Sequence, residues 1–459
     1  MKNKIFAFMI LLLSCGCSLD IKLEDQFSDP DAITDVVTAR SLLASAYESM
    51  PQYIYEMSLL SDDFVPSSKL DRDPYTQNLY RWQVTELSQL ATSLWEGYYM
   101  TISYLNTLLE RLPNIQTMTE EEVQEALRIQ AQAEALKAWC YFDLLRLFAP
   151  RYEGNEDKNG IILKDEVEVG YLPRSTVRES AEEIRRLLAK AVQTDNEKDA
   201  VYWMSKKAIV YLQVELELYC GNYDQVIRLT EDIDQVFPSS TLEKAAYTAL
   251  WSTNETGARI FGKYQTQLIY YDIVYNQYSE GDLLILNDEI TYEETDIRKE
   301  WSELPFTMDG TREVRLFGKY NKMNRESVKS TYVNYMRTAE IYLARAEAMA
   351  RTGNGAAVQL MNTYLETSGC QSLTGSETSG EELLQRILLE RRKEFVGEGS
   401  RLFELKRLGN IELRRYNRYG EQTISRIKPD DYRWTLPIPI SEIRYNDIPQ
   451  NPGWENIIF

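Results

Sequence analysis

Asp62, Asp63, Arg72, Tyr75, Asn78, Tyr80 and Trp82 crowd one short stretch of this 459-residue chain. Those residue types suit a particular chemistry. Aromatic faces stack on the C–H surfaces of a sugar ring, while Asp, Asn and Arg bond its hydroxyls. Pro66 and Pro74 interrupt the stretch, so residues 61–82 read as a polar loop ahead of a helix. A second cluster, Tyr264, Tyr270, Tyr271, Tyr275, Asn276 and Tyr278, offers the same groups; Tyr271, Tyr275 and Asn276 are its candidate ligand contacts. The competing reading of both clusters is that their rings turn inward and pack. The acidic loop also carries carboxylates for Ca²⁺, but its spacing matches no calcium motif, and no metal or cofactor is expected.

Catalytic chemistry finds less support. The chain has no histidine, which removes His-based triads, His general bases and His metal ligands. Glu394, Glu398, Arg401, Glu404 and Arg407 recur at three- and four-residue spacings, which on a continuous helix places them on one face. Paired carboxylates there could serve a hydrolase. The interleaved arginines favour a structural network, in which bidentate pairing offsets like-charge repulsion. A surface glycoside hydrolase and a purely structural helical adaptor stay open as readings of these residues. A net charge of −20 argues against nucleic acid as a partner, because phosphate binding needs a basic face.

The elements that must position these residues are mostly helices. Apolar residues recur every three or four positions: Tyr98, Ile102 and Leu105; Ile129, Ala133, Leu136, Cys140 and Leu144; Ile209, Leu212, Leu216 and Tyr219; Met336, Ala339, Leu343, Ala346 and Ala350. Two segments echo each other. Ala208 leads through a helix to Gly221-Asn222, and Ala339 leads through another to Gly353-Asn354. Each reads as a tetratricopeptide-like helical hairpin. Extended candidates lie near 259–286 and 314–320, and the chain from Trp434 onward reads as irregular. The fold class expected is all-α: hairpins forming a scaffold, with long inserted loops, minor strands and a C-terminal strap. Cys140, Cys220 and Cys370 show no CxxC spacing and are expected to be buried free thiols rather than a disulfide.

The N-terminus sets the compartment. Lys2 and Lys4 precede an apolar run, Ile5–Leu13, that is too short to span a bilayer. Gly16 then precedes Cys17, which looks like a bacterial lipoprotein signal with Cys17 as the lipidated residue; Cys15 is a second possible acceptor. Residues 1–16 are read as a signal peptide and 17–459 as one domain. Within it, helical scaffold is expected over about 30–235 and 331–410, a loop-rich insertion over about 238–330, and the strap over about 411–459.

Four segments carry a family resemblance. Tyr171-Leu-Pro-Arg-Ser-Thr-Val enters a helix with Thr176 as cap and Glu179 three residues on. Residues 335–350 resemble a "RYAE-x-LL-x-AEA" helix. Residues 390–407 resemble "ERR-x-E-x-x-x-EG-x-R-x-x-DL-x-R", with Glu404 where Asp is usual. Leu436-Pro-Ile-Pro-Ile and Gln450-Asn-Pro-Gly-Trp resemble a closing "PIP…QNPGY". Together these resemble the SusD/RagB family of outer-membrane nutrient-uptake lipoproteins. The resemblance implies a lipid-anchored, surface-exposed outer-membrane protein that is not an enzyme and binds a glycan or oligosaccharide, or a peptide in some members. It implies delivery of that cargo to a TonB-dependent, SusC-like β-barrel transporter. No ligand residue is carried over from the family.

Overall fold

The computed structural model describes residues 33–67, 70, 73–167, 170–194, 200–252, 255–265, 284–308, 310–320 and 331–456. The leader with Cys15 and Cys17 lies outside them, as do Arg72, Tyr271, Tyr275 and Asn276. The fold is mainly helical. Helices of seven or more residues are α1 (Val36–Ser49), α2 (Ile54–Leu60), α3 (Pro74–Tyr80), α4 (Val84–Arg111), α5 (Glu120–Phe148), α6 (Val177–Ala191), α7 (Lys206–Tyr219), α8 (Tyr223–Leu229), α9 (Thr338–Arg351), α10 (Ala356–Thr367), α11 (Gly380–Phe395), α12 (Arg401–Leu408) and α13 (Ile440–Asn446).

Local chemistry starts these helices. Thr119 and Glu122 cap α5 reciprocally, and Thr176 and Glu179 do the same for α6, as the spacing predicts. From Ile129 onward almost every α5 side chain is buried; Ala131, Ala133, Ala135 and Ala138 let neighbouring helices approach closely. Helix α5 packs against α1, α4 and α6, and α6 passes the stack on to α7. The two echoing segments do form hairpins. In α7–α8 the Gly221 and Asn222 amides donate to Leu218 and Glu217 carbonyls; in α9–α10 those of Gly353 and Asn354 donate to Ala350 and Met349. Both glycines have left-handed φ, 74° and 70°, the conformation this helix end requires. Helix α9 packs on both α7 and α8, so the hairpins stack. Cys140, Cys220 and Cys370 are buried free thiols.

Among the described residues the strands form four antiparallel pairs: β1 (Phe64–Pro66) with β3 (Leu284–Leu286), β2 (Arg259–Gln265) with β6 (Thr331–Arg337), β4 (Glu303–Met308) with β5 (Arg312–Phe317), and β7 (Leu413–Tyr416) with β8 (Thr423–Ile427). Three local expectations change. Met336 pairs with Phe261 in the β2–β6 ladder, so α9 begins only at Thr338. The end of the strap winds into α13. The face expected to carry Glu394 through Arg407 is broken, because α11 ends at Phe395 and α12 starts at Arg401. Gly397, at φ 72°, makes that break possible: a Cβ there would come 2.4 Å from the Phe317 ring.

The break serves an ion network. Five consecutive residues of α11, Glu390 to Glu394, are all buried and charged. Arg337, at the junction of β6 and α9, bonds Glu394 at 2.5 Å and Glu398 at 2.8 Å. Lys319 bonds Glu398 at 2.5 Å. Arg298 reaches Asp296 and Glu390 at 2.7 and 2.5 Å. Arg391 meets Glu340, Glu215, Glu347 and Glu404. Burial alone would raise the Glu347 carboxyl, but Arg407, Arg391 and Arg351 hold it down at about 2. Asp63 behaves in the opposite way: burial, then the adjacent Asp62 carboxylate, push its acid up to about 7.

Removing one partner from a closed buried pair leaves an uncompensated charge, so Arg337→Met is expected to lower unfolding free energy by about 3–5 kcal/mol. Arg186→Met, which opens the more exposed pair with Glu183, should cost no more than about 1 kcal/mol. Urea titrations of both variants decide the point; equal losses would contradict it. Asp63 gives a pH signature. Its folded-state pKa lies above the unfolded value, so the folded chain keeps a proton that the unfolded chain releases. Stability from this group is therefore lost as pH rises from about 4 to about 7. In Tm measurements, Asp63→Asn should gain on the parent across that window, whereas parallel profiles would mean Asp63 ionises as freely folded as unfolded.

Candidate ligand-binding cleft

A concavity among the described residues has a volume of about 540 Å³. Its walls come from the turn after α5 (Arg151, Asn155, Lys158), the end of α12 (Leu405, Lys406, Gly409), the segment Pro429–Thr435, and the strap at Asn451–Gly453. Two rings face it, Tyr432 and Trp434, with polar and charged groups around them.

Backbone hydrogen-bond demand explains why these distant segments meet. Pro437 and Pro439 carry no N–H, so Ile438 stands as an isolated amide between them. The Gln450 side chain takes the Ile438 N–H at 2.8 Å and donates to its carbonyl at 2.8 Å. Asn451 donates to the Phe148 and Leu436 carbonyls at 2.9 and 2.7 Å. Arg174 donates to Asn451 Oδ1 at 2.8 Å, and to the carbonyls of Gly160 at 2.7 Å and Phe148 at 3.1 Å. No carboxylate meets this guanidinium among the described residues, and burial lowers its pKa to about 10, so it remains charged at neutral pH. The Arg-Ser-Thr-Val and Gln-Asn-Pro-Gly segments are thus two halves of one clasp. Trp454 closes it, donating to the Thr435 carbonyl at 2.8 Å with its ring edge-on to Tyr432.

The two cleft rings are held from below. Trp434 meets Trp82 edge-to-face at 4.8 Å, and its indole N–H donates to the Lys428 carbonyl at 2.8 Å. Asp431 is closed by Arg433 in a fork of 2.9 and 2.7 Å contacts. Asp430 is the other carboxylate on the wall and is exposed. A hydrolase needs two carboxylates facing each other across the bond to be broken; here one of the two already serves an arginine. Lys406 is buried and donates to the Arg146 and Ala149 carbonyls at 2.6 and 2.7 Å. Among the described residues no group of three or more Cys, Asp or Glu is arranged to hold a metal ion.

The sequence-predicted site requires correction. Residues 61–82 are not a free loop: they contain β1 and α3. Asp62 is paired with Arg401 at 2.8 and 3.1 Å and with Arg392 at 3.3 Å. Asp63 is fully buried and accepts from the Gly397 amide at 2.9 Å. The Tyr80 ring lies under the Arg415 guanidinium at 4.8 Å, and its hydroxyl accepts from the Tyr416 amide at 3.0 Å. Trp82 is buried and donates to the Leu60 carbonyl at 3.0 Å. Interior charge pairing and ring packing occupy all four, so they are not open to a ligand. Asn78 bonds Glu86 at 2.9 Å, and Tyr75 remains at the surface, 41% exposed. None of these six residues lines the cleft. The signal not taken up was the Pro-Asp-Asp-Tyr-Arg-Trp run at 429–434, a turn-rich segment within the strap that bears the two cleft rings.

Comparison with known proteins accounts for this architecture. The SusD family model matches residues 248–454, and a family model described as starch-binding, associating with the outer membrane, matches residues 21–213. SusD-like protein P38 of Formosa agariphila is 22% identical over 88% of this chain and 91% of its own length. A SusD superfamily protein from Bacteroides thetaiotaomicron superposes with a TM-score of 0.76 at 20% identity, covering 91% of this chain and 100% of that one. A SusD-like carbohydrate binding protein from Bacteroides vulgatus gives a TM-score of 0.74 at 19% identity, covering 90% and 97%. With the helical hairpins, the charged α11–α12 signature and the closing clasp all in place, the chain belongs to the SusD/RagB family.

Proposed function

We propose that this protein is a non-catalytic surface protein that captures a glycan in the Tyr432–Trp434 cleft. It is held at the outer membrane through lipidated Cys17 and passes its cargo to a TonB-dependent, SusC-like transporter. The observation that carries the reading is the cleft itself: a site of about 540 Å³ with two buttressed rings and a polar rim. Rings fixed from behind lose little freedom when a sugar stacks on them, so more of the contact energy appears as affinity. The description of a family model as starch-binding and of a solved neighbour as carbohydrate binding supports the choice of ligand class. Family membership supports the anchor and the transporter partner.

Titration calorimetry against a glycan panel tests the site. Trp434→Ala is expected to weaken binding by about 1–3 kcal/mol, by analogy with ring-on-base stacking. Trp82→Ala should act mainly through the core, lowering stability by about 3–5 kcal/mol. Full affinity in Trp434→Ala would move the site away from this cleft. Saturable binding without product formation is expected; sugar products that vanish in Asp430→Asn would make the protein an enzyme. In cells, Cys17→Ala should shift the protein from the membrane to the soluble fraction, and a Cys15/Cys17 double variant that still floats with membranes would rule out the anchor.

A further inference from the structure

The chain carries a net charge of −20, yet its cleft is walled by cations. Arg151, Lys158 and Lys406 line it against Asp430 and Asp431, and Asp431 is already matched by Arg433. Elsewhere, the buried cations Arg298, Arg337, Arg391 and Arg401 each meet two or more carboxylates. The cleft cations do not. Lys406 has only the two carbonyls of Arg146 and Ala149, leaving one of its three N–H donors without a described acceptor. Lys158 is exposed and has no carboxylate partner among the described residues. Arg151 donates to the Leu408 carbonyl at 3.2 Å, and its nearest carboxylate, Glu153 at 3.6 Å, is largely in solvent. Burial lowers the Lys406 ammonium to about 7, so an anion placed beside it would restore its charge.

The backbone segments that carry these cations are held in place. Arg151 packs over Gly409 so closely that a Cβ there would come 2.5 Å from its Nη1. Ala149, whose carbonyl accepts a hydrogen bond from Lys406, lies two residues before Arg151. The Asn155 side chain donates to the Arg151 carbonyl at 3.0 Å, and the Lys158 amide donates to the Asn155 carbonyl at 2.9 Å. One turn therefore carries two of the three positive heads beside the two rings. A neutral sugar would leave them unmatched. A sugar bearing a carboxylate or sulfate ester would meet them while its ring lies against Trp434 or Tyr432.

We propose that the cleft selects an acidic glycan, with the ring of one unit on Trp434 and Tyr432 and its negative group turned to Arg151, Lys158 and Lys406. This rests on the cleft being the glycan site. The test is calorimetry of the mature protein with acidic polymers (polygalacturonate and alginate for carboxylates, carrageenan for sulfate) and neutral ones (galactan and dextran). At least one acidic polymer is expected to bind about tenfold more tightly than any neutral one, and raising salt from 50 to 500 mM should erase most of that margin. An Arg151→Gln/Lys158→Gln double variant should lose about tenfold for the acidic polymer, and Lys158→Arg should keep it. Which acidic polymer binds distinguishes carboxylate from sulfate. Failure to bind any acidic polymer overturns the inference, as does acidic binding that the double variant leaves intact. Neutral-only binding that Trp434→Ala abolishes overturns this inference alone. Glycan binding insensitive to Trp434→Ala overturns the cleft as the site.

Discussion

Everything in this structure hangs on charges removed from water. A run of five ionised side chains on α11 sits inside a helical stack, where each isolated ion would carry a desolvation penalty of several kcal/mol. Only near-complete pairing makes that arrangement stable, and pairing demands exact partners from elsewhere in the chain. Arg337 comes from the β6–α9 junction, Arg298 and Lys319 from the insertion, Asp62 from the turn ahead of β1, and Glu347 from α9. Apolar packing tolerates sliding; forked ion pairs do not. The network therefore fixes how the hairpins, the insertion and the segment ahead of α3 sit on one another.

The clasp applies the same logic to backbone amides and carbonyls. Arg174, Gln450 and Asn451 satisfy backbone carbonyls and amides that prolines and chain ends would leave unmet. It holds the strap against the end of α5, which brings Tyr432 and Trp434 beside the turn that carries Arg151 and Lys158. The residues that give the family its sequence signature are scaffold. Most of the groups that would touch a ligand, Arg151, Lys158, Tyr432 and Trp434, sit between them.

The helices were legible because their signals are local. Capping pairs three residues apart, three-and-four periodicity on α5, and Gly-Asn helix ends in two copies each specify structure within a few residues. The loop reading of 61–82 failed because the partners of Asp62 and Asp63 lie more than 300 residues away, at Arg392, Gly397 and Arg401. Nothing near an Asp-Asp pair announces that it will be buried. Trp82 drew attention as a ring in a polar stretch, and the structure makes it the support for Trp434 rather than a contact itself. The cleft escaped notice since its walls come from segments that meet only through the clasp. Met336 fits the helical period of its neighbours equally well, and only pairing with β2 decides for strand.

The β2–β6 ladder has a consequence for how such proteins diverge. Its register places Gln265 opposite Thr331, so the long excursion between them leaves and re-enters the scaffold through adjacent residues. Once its ends are joined, lengthening that excursion adds little chain entropy, about 0.6 kcal/mol for each doubling. The excursion is not free along its whole length: Arg298 and Lys319 lie within it and close the ion network, and Leu284–Leu286 pairs with β1, so only the parts outside those contacts can be rewritten while the hairpins keep their register. Lineages carrying this platform can therefore change those parts much faster than they change how they fold.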